Sequence, residues 1–124
     1  MSDSISLAGT PTTTVSGRTS LITTVPEPTR LLAAGTAERL RDMMRFNVTE
    51  HYEPDVNFPG LPLCAKTGTA EIAEGIDPHS WFVGFLEDEV HPYAFVTLIE
   101  NGGYGITAAG SAANEVLQWA VNNL

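Results

Sequence analysis

The only lysine in the chain, Lys66, stands within a run of small and hydroxylated residues, Leu63-Cys64-Ala65-Lys66-Thr67-Gly68-Thr69-Ala70-Glu71. On an extended strand successive side chains alternate faces, which predicts Thr67 and Thr69 on one side and Lys66 on the other. A rise of ~3.3 Å per residue sets the two hydroxyls about 7 Å apart, a spacing that can clasp a carboxylate. Gly68, between them, removes a Cβ where another backbone or a ligand would approach closely. A backbone N–H near Thr69 can face a carbonyl oxygen that gains negative charge, as acyl transfer requires. Lys66 adds positive charge for an anionic substrate and three donors for a neighbouring hydroxyl.

Those residues need elements to position them, and the periodicity supplies a set. Residues 1–30 are rich in Ser, Thr, Gly and Pro, with Thr10-Pro11-Thr12-Thr13-Thr14 and Val25-Pro26-Glu27-Pro28. They read as an extended, partly mobile segment, with a short strand within Thr19 to Val25. Residues 31–124 read as the folded part. Thr36 is placed to cap a helix whose apolar face runs through Leu40, Met43, Met44, Asn47 and Val48 and whose end falls near His51, before Pro54. That face is expected in the core. Three prolines and a glycine between 53 and 62 predict a loop. Strands follow at Leu63–Glu71, Trp81–Leu86 and Tyr93–Ile99, with short connections that favour an antiparallel meander. Asn101-Gly102-Gly103-Tyr104-Gly105 ends the third strand. A last helix runs from about Ala108 to Val121 with a stripe of Ala109, Ala112, Ala113, Val116, Leu117, Ala120 and Val121. The fold class is therefore α+β, three antiparallel strands with both helices on one face.

Composition narrows the function. A net charge of −9, from 15 acids against 6 bases, argues against nucleic acid or an anionic membrane as partner. One cysteine, Cys64, excludes an intrachain disulfide and any multi-cysteine zinc site, and its position suits a small buried hydrophobe. His51, His79 and His91 have no metal-ligand spacing, so neither metal nor cofactor is expected. Trp81, Phe82 and Phe85 read as core and Glu87-Asp88-Glu89 as a solvated turn. Asn47-Val48-Thr49 matches a glycosylation acceptor but falls within the predicted helix. No apolar run nears the ~20 residues of a membrane span and no signal peptide is visible; the address of an exported parent would lie outside this chain.

The motif and its surroundings carry a resemblance. Ala65-Lys66-Thr67-Gly68-Thr69-Ala70-Glu71, His79-Ser80-Trp81-Phe82-Val83-Gly84-Phe85, Pro92-Tyr93-Ala94-Phe95-Val96 and Glu100-Asn101-Gly102-Gly103 closely resemble the end of the transpeptidase domain of class B penicillin-binding proteins. The helix containing Thr36-Ala37-Glu38-Arg39-Leu40 and Met43-Met44 is similar to the one before the Lys-Thr-Gly strand in that family. The resemblance covers about residues 30 to 124. It implies a partial β-lactamase/transpeptidase-like fold and a site for the D-Ala-D-Ala end of peptidoglycan stem peptides, or for a β-lactam. It further implies that Thr67 and Thr69 bind the terminal carboxylate, with Gly68 admitting the substrate backbone. By the same resemblance the Thr69 N–H would form half the oxyanion hole, and Lys66 would bond a motif serine and support proton transfer. Lys66 and Thr69 are thus the candidate catalytic residues, and Thr67, Gly68 and Thr69 the candidate substrate-binding ones.

Two motifs of that family are missing. The residue three before Lys66 is Leu63, so no Ser-x-x-Lys nucleophile exists; Ser111-Ala112-Ala113-Asn114 is one residue too long for Ser-x-Asn. An oxyanion donor without a nucleophile forms no acyl-enzyme, so this chain by itself is expected to be inactive. A fragment of a β-lactam sensor or β-lactamase of the same fold, and a non-catalytic binding module, are the alternatives. In the family two further strands join the sheet. If they precede this segment, Tyr93–Ile99 has an open edge, which predicts self-association or pairing with the missing N-terminal part. The resemblance implies an extracytoplasmic, membrane-anchored parent.

Overall fold

The computed structural model describes residues 12–15, 18–21, 27 and 29–124, the first two stretches as backbone only. The chain divides into two units, Met1–Ala33 and Ala34–Leu124. In the first, β1 (Thr12–Val15) pairs antiparallel with β2 (Arg18–Leu21), with Thr12 opposite Leu21. The Thr-rich start, whose composition reads as loop or edge strand, thus contains a strand ahead of the one expected. The expected strand over Thr19 to Val25 is met only through Leu21, and its remainder lies outside the described residues.

The second unit holds α1 (Ala34–His51), α2 (Pro54–Asn57), β3 (Leu63–Ala70), β4 (His79–Leu86), β5 (Ala94–Ile99) and α3 (Ser111–Asn123), the last preceded by a π-turn at Ile106–Gly110. The sheet order is β3-β4-β5, both pairings antiparallel. The expected meander is therefore the observed one. Register aligns Leu63, Ala65, Thr67 and Thr69 with Leu86, Gly84, Phe82 and Ser80, and these in β4 with Phe95, Thr97 and Ile99. Side chains directly opposite in a ladder share a face.

That face is the covered one. Val48 from α1, Tyr52 just after it, Phe58 after α2, and Ala109, Ala113 and Leu117 from the last turns and helix bury Leu63, Ala65, Phe82 and Leu86. Phe82 is the hub. It stacks on Phe58 at 5.4 Å and meets Phe95 at 5.6 Å and the edge of Tyr52 at 5.8 Å. The opposite face carries Trp81, Val83, Phe85, Val96 and Leu98, with Val96 68% exposed.

Several local expectations need correction. Helix α1 begins at Ala34, so Thr36 lies in its first turn and does not cap it. Of the face Leu40, Met43, Met44, Asn47 and Val48, only Val48 is buried, and Met43 is 68% exposed. Burial in α1 falls on its last turns, at Val48, while Leu40 and Met43 nearer its start stay exposed. The 53–62 loop contains one helical turn, α2; Pro54 opens it, where proline's fixed φ suits a helix start. Val116, read as part of the last helix's apolar stripe, is exposed, and the burial there follows Ala109, Ala113 and Leu117.

Candidate functional site

The outer edge of β3 is defined by its hydrogen bonds. Along an antiparallel strand the N–H and C=O of one residue point to one edge and those of the next to the other. The Ala65 carbonyl accepts from Asn47 Nδ2 at 3.0 Å, the Thr67 N–H donates to the Tyr52 hydroxyl at 3.0 Å, and the Thr67 carbonyl accepts from Lys66 Nζ at 2.9 Å. Ala65 and Thr67 therefore face away from β4, and Thr69, two residues on, faces the same way. Among the described residues its N–H meets no partner there. Among the described residues the edge thus presents an amide donor without a partner, close in sequence to the lysine ammonium.

Lys66 and Thr69 are exposed and Thr67 and Gly68 half-buried. The strand brings all four sequence-predicted residues to one edge. Gly68 differs in its surroundings from what was expected. A Cβ there would stand 3.2 Å from Trp81 Cβ, so its neighbour within the chain is a cross-strand side chain. The close backbone approach lies at Gly105, where a Cβ would meet Thr67 Cβ and the Trp81 carbonyl at 2.8 Å and the Gly68 carbonyl at 3.0 Å. Gly105 thus packs directly under the motif.

Residues that sequence reasoning did not single out hold the motif in place. Asn47 Nδ2 donates to the Tyr52 hydroxyl at 2.7 Å, and that hydroxyl lies 3.0 Å from Thr67 Oγ1. The signal for Asn47 was a polar residue on an otherwise apolar helix stripe. Tyr52, just past the end of α1, left none. Burial opposes ionisation of the Tyr52 phenol, but the bonds that its oxygen, once ionised, accepts from the Thr67 hydroxyl and N–H and from Asn47, with the charge of Lys66, outweigh it and draw its pKa below the ordinary tyrosine value. On β4, the fully buried Ser80 Oγ donates to the Tyr104 carbonyl at 3.1 Å and accepts the Ala109 N–H at 3.0 Å. With the Asn101 N–H on His79 Nδ1 and the Gly103 N–H on the Pro78 carbonyl, these bonds pin the Asn101–Gly105 loop beside the motif.

Behind the motif, Cys64 is fully buried, as its sequence position suggested. Burial first, then the carboxylate of Glu87, pushes its thiol pKa up, against the smaller pull of Arg45 and Arg41. Glu87 is exposed but lies 3.5 Å from Arg41 and 3.8 Å from Arg45, so the acidic turn joins β4 to α1. Such exposed pairs contribute little to stability. No group of three or more His, Cys, Asp or Glu among the described residues is arranged to hold a metal ion.

Residues 14–118 match the penicillin binding protein transpeptidase domain. The chain belongs to that family. It is 31% identical over 96 residues to the peptidoglycan D,D-transpeptidase PbpA of Mycolicibacterium smegmatis, covering 73% of this chain and 19% of that protein. It is 37% identical over 59 residues to PbpA of Mycobacterium tuberculosis, covering 44% and 12%. The chain thus spans about a fifth or less of the curated relatives it matches. The D,D-transpeptidase domain of a peptidoglycan glycosyltransferase from Eggerthella lenta superposes with a TM-score of 0.59 at 32% identity, over 71% of this chain and 20% of that one. Penicillin-binding protein A of M. tuberculosis, solved as an imipenem acyl-enzyme complex, gives 0.64 at 25% identity, over 82% and 23%. The α+β arrangement seen here is a partial penicillin-binding-protein transpeptidase fold.

Proposed function

We propose that this chain supplies one wall of a serine-type D,D-transpeptidase site, which binds the carboxylate of a D-Ala-D-Ala stem peptide or a β-lactam. The observation that carries the reading is the outer edge of β3, where the free direction of the Thr69 N–H, the Lys66 ammonium and the Thr67 hydroxyl meet. In this reading Thr67 and Thr69 hold the carboxylate and Gly68 lets the substrate backbone run beside the strand. The Thr69 N–H is one oxyanion donor, and Lys66 assists proton transfer to and from a serine. That serine lies outside these 124 residues, because no Ser-x-x-Lys is present. The chain alone is accordingly silent in catalysis.

The second partner in this reading is the part of a transpeptidase domain that carries the nucleophile. β5 ends the sheet, with no described strand on its outer side, and the face bearing Val96 and Leu98 is exposed. An open edge beside an apolar face favours strand addition, either by that part or by a second copy. The same reading puts the work of the site outside the cytoplasmic membrane, in a membrane-anchored parent. No helix among the described residues is long and apolar enough to cross one.

The test is incubation with a fluorescent penicillin, followed by anisotropy and intact mass. Reversible binding that falls about tenfold in Thr69→Val, with no added mass, is the expected result, since a hydrogen bond to a charged group contributes roughly 1.5–3 kcal/mol. A covalent adduct on the chain, or binding indifferent to Thr69, overturns the proposal.

A further inference from the structure

We propose that Tyr52 is a positioning residue that fixes the direction of the Thr67 hydroxyl, so that Thr67 presents a hydrogen-bond donor to the substrate's carboxylate; the inference rests on the reading of the site given above.

The argument is a count of protons and lone pairs. A phenol hydroxyl has one hydrogen to give and two lone pairs to receive. Asn47 Nδ2 bonds both the Ala65 carbonyl at 3.0 Å and the Tyr52 hydroxyl at 2.7 Å. A carbonyl only accepts, so the amide nitrogen must be the atom facing Ala65; a flipped amide would set oxygen against oxygen. One hydrogen of that nitrogen goes to Ala65 and the other to Tyr52. The Thr67 N–H, which can only donate, occupies the second lone pair of Tyr52 at 3.0 Å. Both acceptor positions of Tyr52 are then filled, and its own hydrogen has one place left, Thr67 Oγ1 at 3.0 Å.

The direction of that last bond decides the rest. Thr67 Oγ1 accepts from Tyr52, so the threonine's own hydrogen is spent on no described residue. Among the described residues Oγ1 has no other partner, and the side chain is half-exposed. A hydroxyl set in this way gives its hydrogen outward, and a carboxylate, which can only accept, is the matching ligand chemistry. Without Tyr52 the same hydroxyl turns freely and presents hydrogen or lone pair without preference. The phenol ring is itself held, only 8% exposed and edge-on to Phe82 at 5.8 Å. The network thus pre-organises the donor before substrate arrives, which lowers the ordering cost of binding.

The test uses the full chain and its Tyr52→Phe variant, with folding checked by circular dichroism. Two readouts are taken: amide exchange at Thr67, and the affinities for N-acetyl-D-Ala-D-Ala and for its C-terminal amide. In the wild-type chain the Thr67 amide is protected and the carboxylate ligand is preferred. In Tyr52→Phe, Thr67 exchanges at least about tenfold faster, and affinity for the carboxylate falls roughly twofold to threefold while that for the amide is unchanged, in line with fixing one hydroxyl among about three staggered orientations. A merely structural contribution would weaken both ligands alike. Thr67→Val, which removes the hydroxyl itself, should give a larger loss, with no further loss in the double variant. Equal weakening of both ligands, additive losses, or carboxylate affinity unchanged in Tyr52→Phe overturn the proposal. Absence of binding by the wild-type chain defeats the reading of the site itself. The Thr67 amide then decides the network alone, supported if Tyr52→Phe removes its protection and overturned if protection persists.

Discussion

Phe82→Ala is the substitution whose cost the structure defines best. Phe82 is fully buried and stands directly opposite Thr67, so its loss acts on the strand that carries the motif. Three rings close around it, Phe58 stacked at 5.4 Å, Phe95 at 5.6 Å and Tyr52 at 5.8 Å. Truncation of a buried phenylalanine costs ~3–5 kcal/mol, and a site walled by rings and by β3 cannot collapse fully into the gap, which places this one near the upper end. Small domains hold only about 5–15 kcal/mol in total, so the variant should lose a large share of its stability. Urea unfolding followed by circular dichroism and by the fluorescence of the two tryptophans, Trp81 and Trp119, measures it. Val96→Ala, on the exposed face of the sheet, is the control and should stay within about 0.5 kcal/mol. A loss below about 1 kcal/mol for Phe82→Ala, or an equal loss for Val96→Ala, would refute the packing argument.

Gly105→Ala should destabilise by about 1–3 kcal/mol, since the new methyl meets two carbonyl oxygens, of Trp81 and Gly68, that belong to the ladder and cannot yield. Urea midpoints check this, and a midpoint equal to wild type would count against the close approach. Cys64, fully buried and with its thiol pKa raised, should react with a thiol reagent at neutral pH roughly a hundredfold slower than in urea. Tyr52 should ionise below the ordinary tyrosine range, as ultraviolet difference spectra against Tyr52→Phe would show. In the window between its folded and unfolded pKa the unfolded chain binds the extra proton. The stability Tyr52 contributes therefore grows as pH rises through that window and is lost as pH falls back through the folded value.

The strands were legible because their alternation and β-branched content agree with the half-covered sheet they form, and the meander followed from short connections. Lys66, Thr67, Gly68 and Thr69 were legible as a local motif, since neighbours on one strand edge are neighbours in sequence. What holds them was not. Tyr52 reaches Thr67 across 15 residues, and Ser80 reaches Ala109 across 29, through tertiary packing that no local pattern encodes. Helix α1 shows the converse. Its periodicity is genuine, yet burial depends on what lies opposite, and Met43 and Leu40 stay exposed while Val48 on the same stripe is buried. Pro54 and Gly105 were read as breakers, and each also has a constructive place, one opening α2 and the other admitting a loop against the motif.

The central claim is that the β3 edge from Lys66 to Thr69 is a carboxylate-binding wall. An amide-resolved magnetic resonance titration of the chain with N-acetyl-D-Ala-D-Ala tests it most directly. The account predicts saturable shifts centred on Thr67, Gly68 and Thr69, abolished when the peptide's carboxylate is replaced by an amide. Shifts that cluster elsewhere, or a β3 edge left unmoved at saturating peptide, would contradict it.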